Sequence, residues 1–236
     1  MIIREIRKEL KKHVEKKYRD GAERYVKEGI ILYGVRAFTV RKMAARYFVR
    51  IKAKKKEEIF ELCEELLKSD YSEEKTIAFS WAFRTKKQYA PRDFFIFEKW
   101  LKKYVTNWGQ CDDFCRHAFG ELIDQFPRFL PEVKKWTESK NRWFRRAAAV
   151  IMIYPVRKRK YLNTIFEIAD RLLLDDDYLV QKGYGWMLKD ASICYPQEVF
   201  NYVMKNKSKM PRTALRYAIE RYSSAMKKKA MSKARV

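Results

Sequence analysis

Apolar residues recur at three- and four-residue spacing along almost the whole chain, as in Ile59, Leu62, Cys63, Leu66 and Leu67, and again in Phe94, Phe95, Phe97, Leu101 and Tyr104. That period puts one apolar stripe on an α-helix and leaves the intervening Lys, Arg and Glu in water. The strict alternation that marks a strand is weak, and only 7 Gly and 6 Pro interrupt 236 residues. The chain therefore reads as all-α. Asp20-Gly21 has the composition of a hairpin turn, but it lies between two charged helical stretches and is expected to stop one helix and start the next.

The helices fall into pairs. Counting from Lys42, the second helix of each pair begins again near Lys75, Asp112, Arg146, Lys182 and Arg212, at intervals of 33, 37, 34, 36 and 30 residues. Tandem helical hairpins produce this spacing, and their stacking gives a curved solenoid with the second helices along its inner surface. Small residues such as Ala44-Ala45, Ala78, Cys115, Ala147-Ala148-Ala149 and Gly183 fall inside these second helices, where they let neighbours approach closely. A plain bundle without functional curvature is the alternative. The expected organisation is one helical-repeat domain over residues 1–224 and a basic, disordered tail over 225–236.

Charge changes the picture more than composition does. Hydrophobic residues make up 47% of the chain and aromatics 15%, enough for a sizeable core, yet 54 Lys+Arg against 30 Asp+Glu leave a net charge of +24. That balance points to a polyanion, and nucleic acid is favoured over a membrane because no apolar run approaches the ~20 residues of a spanning helix. The N-terminus, Met1-Ile2-Ile3-Arg4-Glu5, lacks the pattern of a secretory signal, so a cytoplasmic protein with reduced Cys63, Cys111, Cys115 and Cys194 is expected. Helix N-termini carrying Lys or Arg suit phosphates. Arg41, Lys42, Lys75, Arg145, Lys182 and Arg212 are the expected backbone contacts, although each taken singly reads equally well as a solvated charge.

One repeat breaks the row. Where the others carry a cation, the third reads Cys111-Asp112-Asp113 after Trp108. A carboxylate there repels a polyanion unless a cationic reaction centre compensates it. Trp108 and Asp112 stand four residues apart and share a helical face, with Asp113 turned about 100° away. A helix cap is the other reading of both acids.

Tyr33-Gly34-Val35, Asn107-Trp108-Gly109-Gln110-Cys111-Asp112, Trp143-Phe144-Arg145-Arg146-Ala147-Ala148 and Gln181-Lys182-Gly183-Tyr184-Gly185-Trp186 resemble the AlkD-type DNA alkylation repair enzymes, over about residues 25–222. The resemblance implies a right-handed stack of HEAT-like helical pairs that grips duplex DNA and releases N3- and N7-alkylated purines. It assigns the active surface to Trp108, Asp112, Arg146 and Trp186, with Arg146 holding a phosphate beside the lesion. Gly109-Gln110 and the extra carboxylate of Asp113 depart from the family's pattern.

These residue types suit that chemistry. A cationic alkylpurine is already a good leaving group, so its glycosidic bond needs stabilisation of the oxocarbenium-like sugar, which a carboxylate supplies while also orienting water. The ring faces of Trp108 and Trp186 attract a cationic nucleotide by roughly 0.5–2 kcal/mol each, whereas Trp81, Trp100, Trp136 and Trp143 are assigned to the core. No residue marks a wedge or an enclosing pocket, so little enclosure of the base is expected. Cys111, Cys115 and His117 lack a second pair at zinc spacing, so no metal is assigned; His13 and His117 are the only histidines, and no Gly-rich phosphate loop is present. The expected activity is monofunctional and cofactor-free on duplex DNA, by a monomer. No lysine is marked as a lyase nucleophile, and a non-catalytic scaffold binding DNA or RNA by shape and charge is the rival reading.

Overall fold

The computed structural model describes residues 1–232. The chain opens with α1 (Ile2–Lys12), α2 (Lys16–Tyr25), α3 (Ala37–Val49), α4 (Lys56–Leu67), α5 (Ser72–Arg84), α6 (Asp93–Tyr104) and α7 (Trp108–Phe114). A π-helical turn, Cys115–Phe119, carries α7 into α8 (Gly120–Gln125). There follow α9 (Leu130–Lys135), α10 (Arg142–Ile151), α11 (Ile153–Val156), α12 (Leu162–Arg171), α13 (Tyr178–Cys194), α14 (Pro196–Asn206), α15 (Arg212–Ala218) and α16 (Ser224–Met231). Among the described residues the one β-type contact is an isolated bridge between Ile31 and Tyr71. The fold is all-α.

Contacts cluster in two units, one from Met1 to Leu122 and one from Ile123 onward. In the first, α3, α5 and α7 pack in succession, with α4 against α5 and α6 against α4. Trp81, Phe79, Phe97, Trp100, Phe114 and Phe119 are fully buried or nearly so, and each such ring contributes about 1.5–3 kcal/mol by leaving water. In the second unit α10, α13 and α15 pack in succession, with α12 and α14 against α13. Ala44 and Ala78 of the first unit and Ala147, Ala148 and Ala149 of the second are wholly buried where these helices meet.

Polar bonds obey the repeat. In the first unit Trp81 donates to the Ala44 carbonyl, Arg92 to Glu57 and Gln110 to Ser72. In the second Arg157 donates to Asp190, Lys134 to Glu167 and Tyr202 to Asp170. All six pairs are separated by 32 to 38 residues, one helical pair along the chain. Within each unit, successive pairs of helices are thus bound to one another, as tandem repeats require.

Two expectations fail locally. α2 runs unbroken through Asp20-Gly21, and the break falls earlier, at His13-Val14-Glu15. A Cβ at Gly21 would meet nothing within 4 Å, so no close approach compels a turn there. The basic segment expected to be disordered is helical over Ser224–Met231, because Ser223 caps it by accepting from the Met226 N–H and Ala230 is buried. Residues 233–236 of that expected tail lie outside the described residues.

Candidate active site and nucleic-acid interface

The Tyr33-Gly34-Val35 segment is a clamp. Glu73, in the first turn of α5, accepts the backbone N–H groups of Tyr33 at 3.1 Å, Gly34 at 2.8 Å and Val35 at 3.0 Å. Neighbouring Glu74 accepts the Tyr33 hydroxyl at 2.7 Å and two N–H bonds from Arg7. Gly34 is required on two counts: its φ is +102°, and a Cβ would stand 2.9 Å from that of Arg19. The buried Glu73 carboxylate therefore fixes the chain that leads into α3.

α7 is capped by Asn107, whose side chain accepts the Gln110 N–H at 3.0 Å. With that cap in place, Trp108 is the first residue of the helix and Asp112 the fifth. Neither Asp112 nor Asp113 lies in the first turn, so neither is the cap. Trp108 and Asp112 are both partly exposed and one turn apart. Asp113 lies instead toward α3: its Oδ1 is 3.8 Å from Arg41 Nη2 and 3.4 Å from His117 Nδ1. His117 belongs to the π turn, a distortion often found beside functional groups and one that helical periodicity could not reveal.

Helix register refines the cationic row. The fifth residues of α3, α5, α7, α10, α13 and α15 are Arg41, Thr76, Asp112, Arg146, Lys182 and Arg216. Arg41 and Lys42 are exposed, Lys182 is partly exposed and stands over the Tyr178 ring at 5.0 Å, and Arg212 is exposed at the first position of α15. Exposed Arg216 occupies the register position and was not picked out from the sequence, where Arg212 drew the alignment one turn early.

Two of the expected phosphate contacts are engaged within the protein. Lys75, one position before Thr76, is 6% exposed, and its Nζ donates to the Tyr104 carbonyl at 2.9 Å. Burial lowers its pKa below the usual lysine value. Lys75 ties α5 to the end of α6 from a buried position. Arg145 is spent on Asp175, at 2.7 Å, and on the Ser139 carbonyl, at 2.9 Å. Its guanidinium fastens the loop before α13 in the second unit.

Arg146 also departs from an open phosphate hand. It is 4% exposed, with one N–H donated to the Leu179 carbonyl and its stem against Gly183, whose missing Cβ would lie 3.2 Å from Arg146 Cγ. Gly185, two residues on, lets α13 meet α15, since a Cβ there would fall 2.7 Å from the Ala214 carbonyl. The Gly183-Tyr184-Gly185 segment thus serves close helix packing. Trp186 and Trp108 are partly exposed, whereas Trp81, Trp100, Trp136 and Trp143 are buried.

The first unit also contains a cleft of about 310 Å³ that no sequence signal announced. Tyr18, Ala22 and Tyr25 of α2 line it together with Val35, Val40 and Trp108, and Arg41, Glu73 and Asp113 add charge to the lining. Tyr25 meets Trp108 edge-on, with ring centroids 5.9 Å apart.

A family profile described as DNA alkylation repair enzyme matches residues 6–222. The chain belongs to this family. The DNA alkylation repair fold is visible in solved structures as well. A predicted DNA alkylation repair enzyme from Enterococcus faecalis is 16% identical, with a TM-score of 0.79 over 90% of this chain and 98% of its own. AlkD2 from Streptococcus mutans is 23% identical, with a TM-score of 0.59 over 79% of this chain and 90% of its own. The protein smu.31 from Streptococcus mutans UA159 is 24% identical, with a TM-score of 0.59 over 79% and 94%. Among curated proteins, none matches this sequence. No helix among the described residues is long and apolar enough to cross a membrane.

Proposed function

We propose that this DNA alkylation repair family member is a monofunctional DNA glycosylase, hydrolysing the N-glycosidic bond of cationic N3- and N7-alkylated purines in duplex DNA. The observation that carries the reading is the placement of Trp108 and Asp112 one turn apart on the face of α7 whose register position is held by Arg41, Arg146, Lys182 and Arg216 in other helices. A carboxylate at that register position opposes DNA binding and suits a positive reaction centre.

Positive charge builds on the deoxyribose as the bond to the departing purine stretches. Asp112 stabilises that charge and orients the attacking water; the base leaves with the bonding electrons, which neutralise its own positive charge. The Trp108 ring presents its negative face to the cationic nucleotide, and Trp186 supplies a second such face as the family resemblance assigns. Arg41, Lys42, Lys182, Arg212 and Arg216 neutralise phosphates. Arg146, buried and held by the Leu179 carbonyl, acts as a fixed cation rather than as a mobile phosphate contact. The protein works as a monomer with water as its sole co-substrate.

The test is incubation with methylated duplex DNA and chromatography of the freed bases. Release of 3-methyladenine and 7-methylguanine is expected. Tight, salt-sensitive binding with no release would replace the glycosylase by a scaffold that recognises DNA through shape and charge.

A further inference from the structure

The C-terminal end of the second unit gathers cations without gathering carboxylates. Residues 205–232 hold nine Lys and Arg against one acid, Glu220, so 28 residues carry a net +8 of the chain's +24. Elsewhere surface cations are paired, as in Arg7–Glu74, Arg36–Glu15, Lys99–Glu64, Lys134–Glu167 and Arg171–Glu138. Among the described residues none of the nine is ion-paired, and Glu220 is taken by Lys189 at 3.0 Å.

These cations meet in space as well as in sequence. Lys207, at the end of α14, donates from Nζ to the Lys229 and Ser232 carbonyls, each at 3.0 Å, and Arg212, the first residue of α15, donates to the Met231 carbonyl at 3.4 Å. Two cations thus hold the end of α16 against α14 and α15, while Ser223 caps its start and Ala230 is buried. α16 is therefore anchored at both ends, with Lys228 and Lys229 exposed on it and Lys205 and Lys209 exposed on either side of its anchor Lys207. The negative end of the helix dipole offsets part of the repulsion among them. Salt screens little between charges closer than the Debye length of about 8–10 Å, so what remains favours an anion.

The kind of anion follows from the surface. Between residues 205 and 232 no large apolar side chain is exposed, so α16 offers nothing to insert into a bilayer, whereas separate exposed cations match the repeated single charges of a phosphodiester backbone. We infer that α16 and the Lys205–Arg212 segment that holds it form a docking surface for the phosphates of duplex DNA, acting whether or not a lesion is present. The helix lies past residue 222, where the family profile ends. The inference rests on DNA as the polyanion of the proposed function and is separate from the glycosylase chemistry, since no residue of this surface has a part in breaking the bond. The surface adds affinity and leaves the rate of the bound complex unchanged.

The test is a salt series of undamaged-duplex binding by the full-length protein, read by fluorescence anisotropy. The triple variant Lys209→Ala, Lys228→Ala, Lys229→Ala removes three exposed cations and spares the anchors Lys207 and Arg212. A control triple, Lys52→Ala, Lys102→Ala, Lys103→Ala, removes the same charge from exposed positions of the first unit. The first triple is expected to lose about tenfold in affinity at low salt and to flatten the slope of log Kobs against log salt by about 2–3, with the control within about twofold of wild type. Release of 7-methylguanine at saturating protein should stay within about twofold for both. If the first triple is misfolded by circular dichroism, Lys228→Glu, a single exposed change, carries the test with an expected loss of about fivefold. Wild-type affinity and slope in the first triple, or an equal loss in the control, would overturn the inference. So would binding to phosphatidylserine–phosphatidylcholine vesicles that the first triple loses while its duplex binding is intact, which would give the surface to lipid. Loss of duplex affinity by the first triple alone, in a protein that frees no base from DNA, would sink the glycosylase reading and leave the docking surface standing.

Discussion

Asp113 of α7 and Arg41 of α3 approach to 3.8 Å across the face of α5, so a cation expected to meet phosphate is held by a carboxylate of the same unit. The arginine is 61% exposed along its side chain. Exposed pairs of this kind contribute about 0–1 kcal/mol, which makes the pair easily exchanged for a phosphate. Asp113 thus has a cation to restrain, and the proposed function gives the reaction to its neighbour Asp112.

Asp113→Asn tests that division. Freeing Arg41 and removing a negative charge should raise affinity for undamaged duplex by about two- to fivefold at low salt, with the gain fading as salt increases. Base release should change by less than about threefold, since the proposed function assigns the chemistry to Asp112. Filter binding over a salt series and a single-turnover assay check the two halves. A loss of release as large as that of Asp112→Asn would reassign the catalytic carboxylate.

Lys75 and Lys182 were grouped as phosphate contacts by sequence, and the structure separates them. Lys182→Ala should weaken duplex binding across all sequences and reduce the slope of log Kobs against log salt by about 1. Lys75→Met should leave that slope unchanged and lower the Tm, because the Tyr104 carbonyl loses its buried donor, a loss of about 1–3 kcal/mol. The periodicity could not show the difference. Lys75 and Thr76 are neighbours in sequence, and which of them falls on the open face depends on where α5 starts, at Ser72.

Much of the architecture was legible because it is local. Helical pairs recur every 30 or so residues, small residues fall where second helices meet, and Trp108 and Asp112 share a face by spacing alone. The rest depended on contacts between repeats. Arg145 looks like any surface arginine until Asp175 is folded against it, and the cleft beside Trp108 draws its walls from α2, the Val35 segment and α3. The π turn after Phe114 and the cap that helps order Ser224–Met231 are likewise settled by packing and side-chain bonds rather than by composition.

Glycines give a second contrast. Gly185→Ala would place a Cβ 2.7 Å from the Ala214 carbonyl and 2.8 Å from Tyr217 Cβ, so α13 and α15 must part, at about 1–3 kcal/mol. Gly109→Ala meets only the Asn107 Oδ1 at 3.4 Å, ordinary contact, and should stabilise α7 by about 0.5–1 kcal/mol. Thermal denaturation of both variants should therefore move in opposite directions. A matching fall in Tm would show that the backbone at Gly109 is constrained in some further way.

Asp124 provides the pH test within the second unit. Burial alone raises a carboxyl pKa, but the ammonium groups of Lys158 and Lys160, each 2.7 Å away, outweigh it and hold the folded value below the usual 3.8. A depressed carboxyl contributes stability that is present above the unfolded value and is lost as pH falls through the lower, folded one. Asp124→Asn should therefore lower the Tm at pH 7, and the gap from wild type should close as the pH drops below 3.8. A gap that stayed constant across that range would mean that the carboxylate charge is not what the two lysines recognise.

The most direct measurement is single-turnover release of 7-methylguanine from a methylated duplex by wild-type protein, Asp112→Asn and Trp108→Ala, at protein concentrations that saturate the DNA. Asp112→Asn is expected to bind the duplex at least as tightly as wild type and to lose about two to three orders of magnitude in release, as when one electrostatic partner of a transition state is removed. Trp108→Ala should fall between the two. Release by Asp112→Asn at the wild-type rate would contradict the account, because it would show that the one carboxylate interrupting the cationic row has no part in breaking the bond.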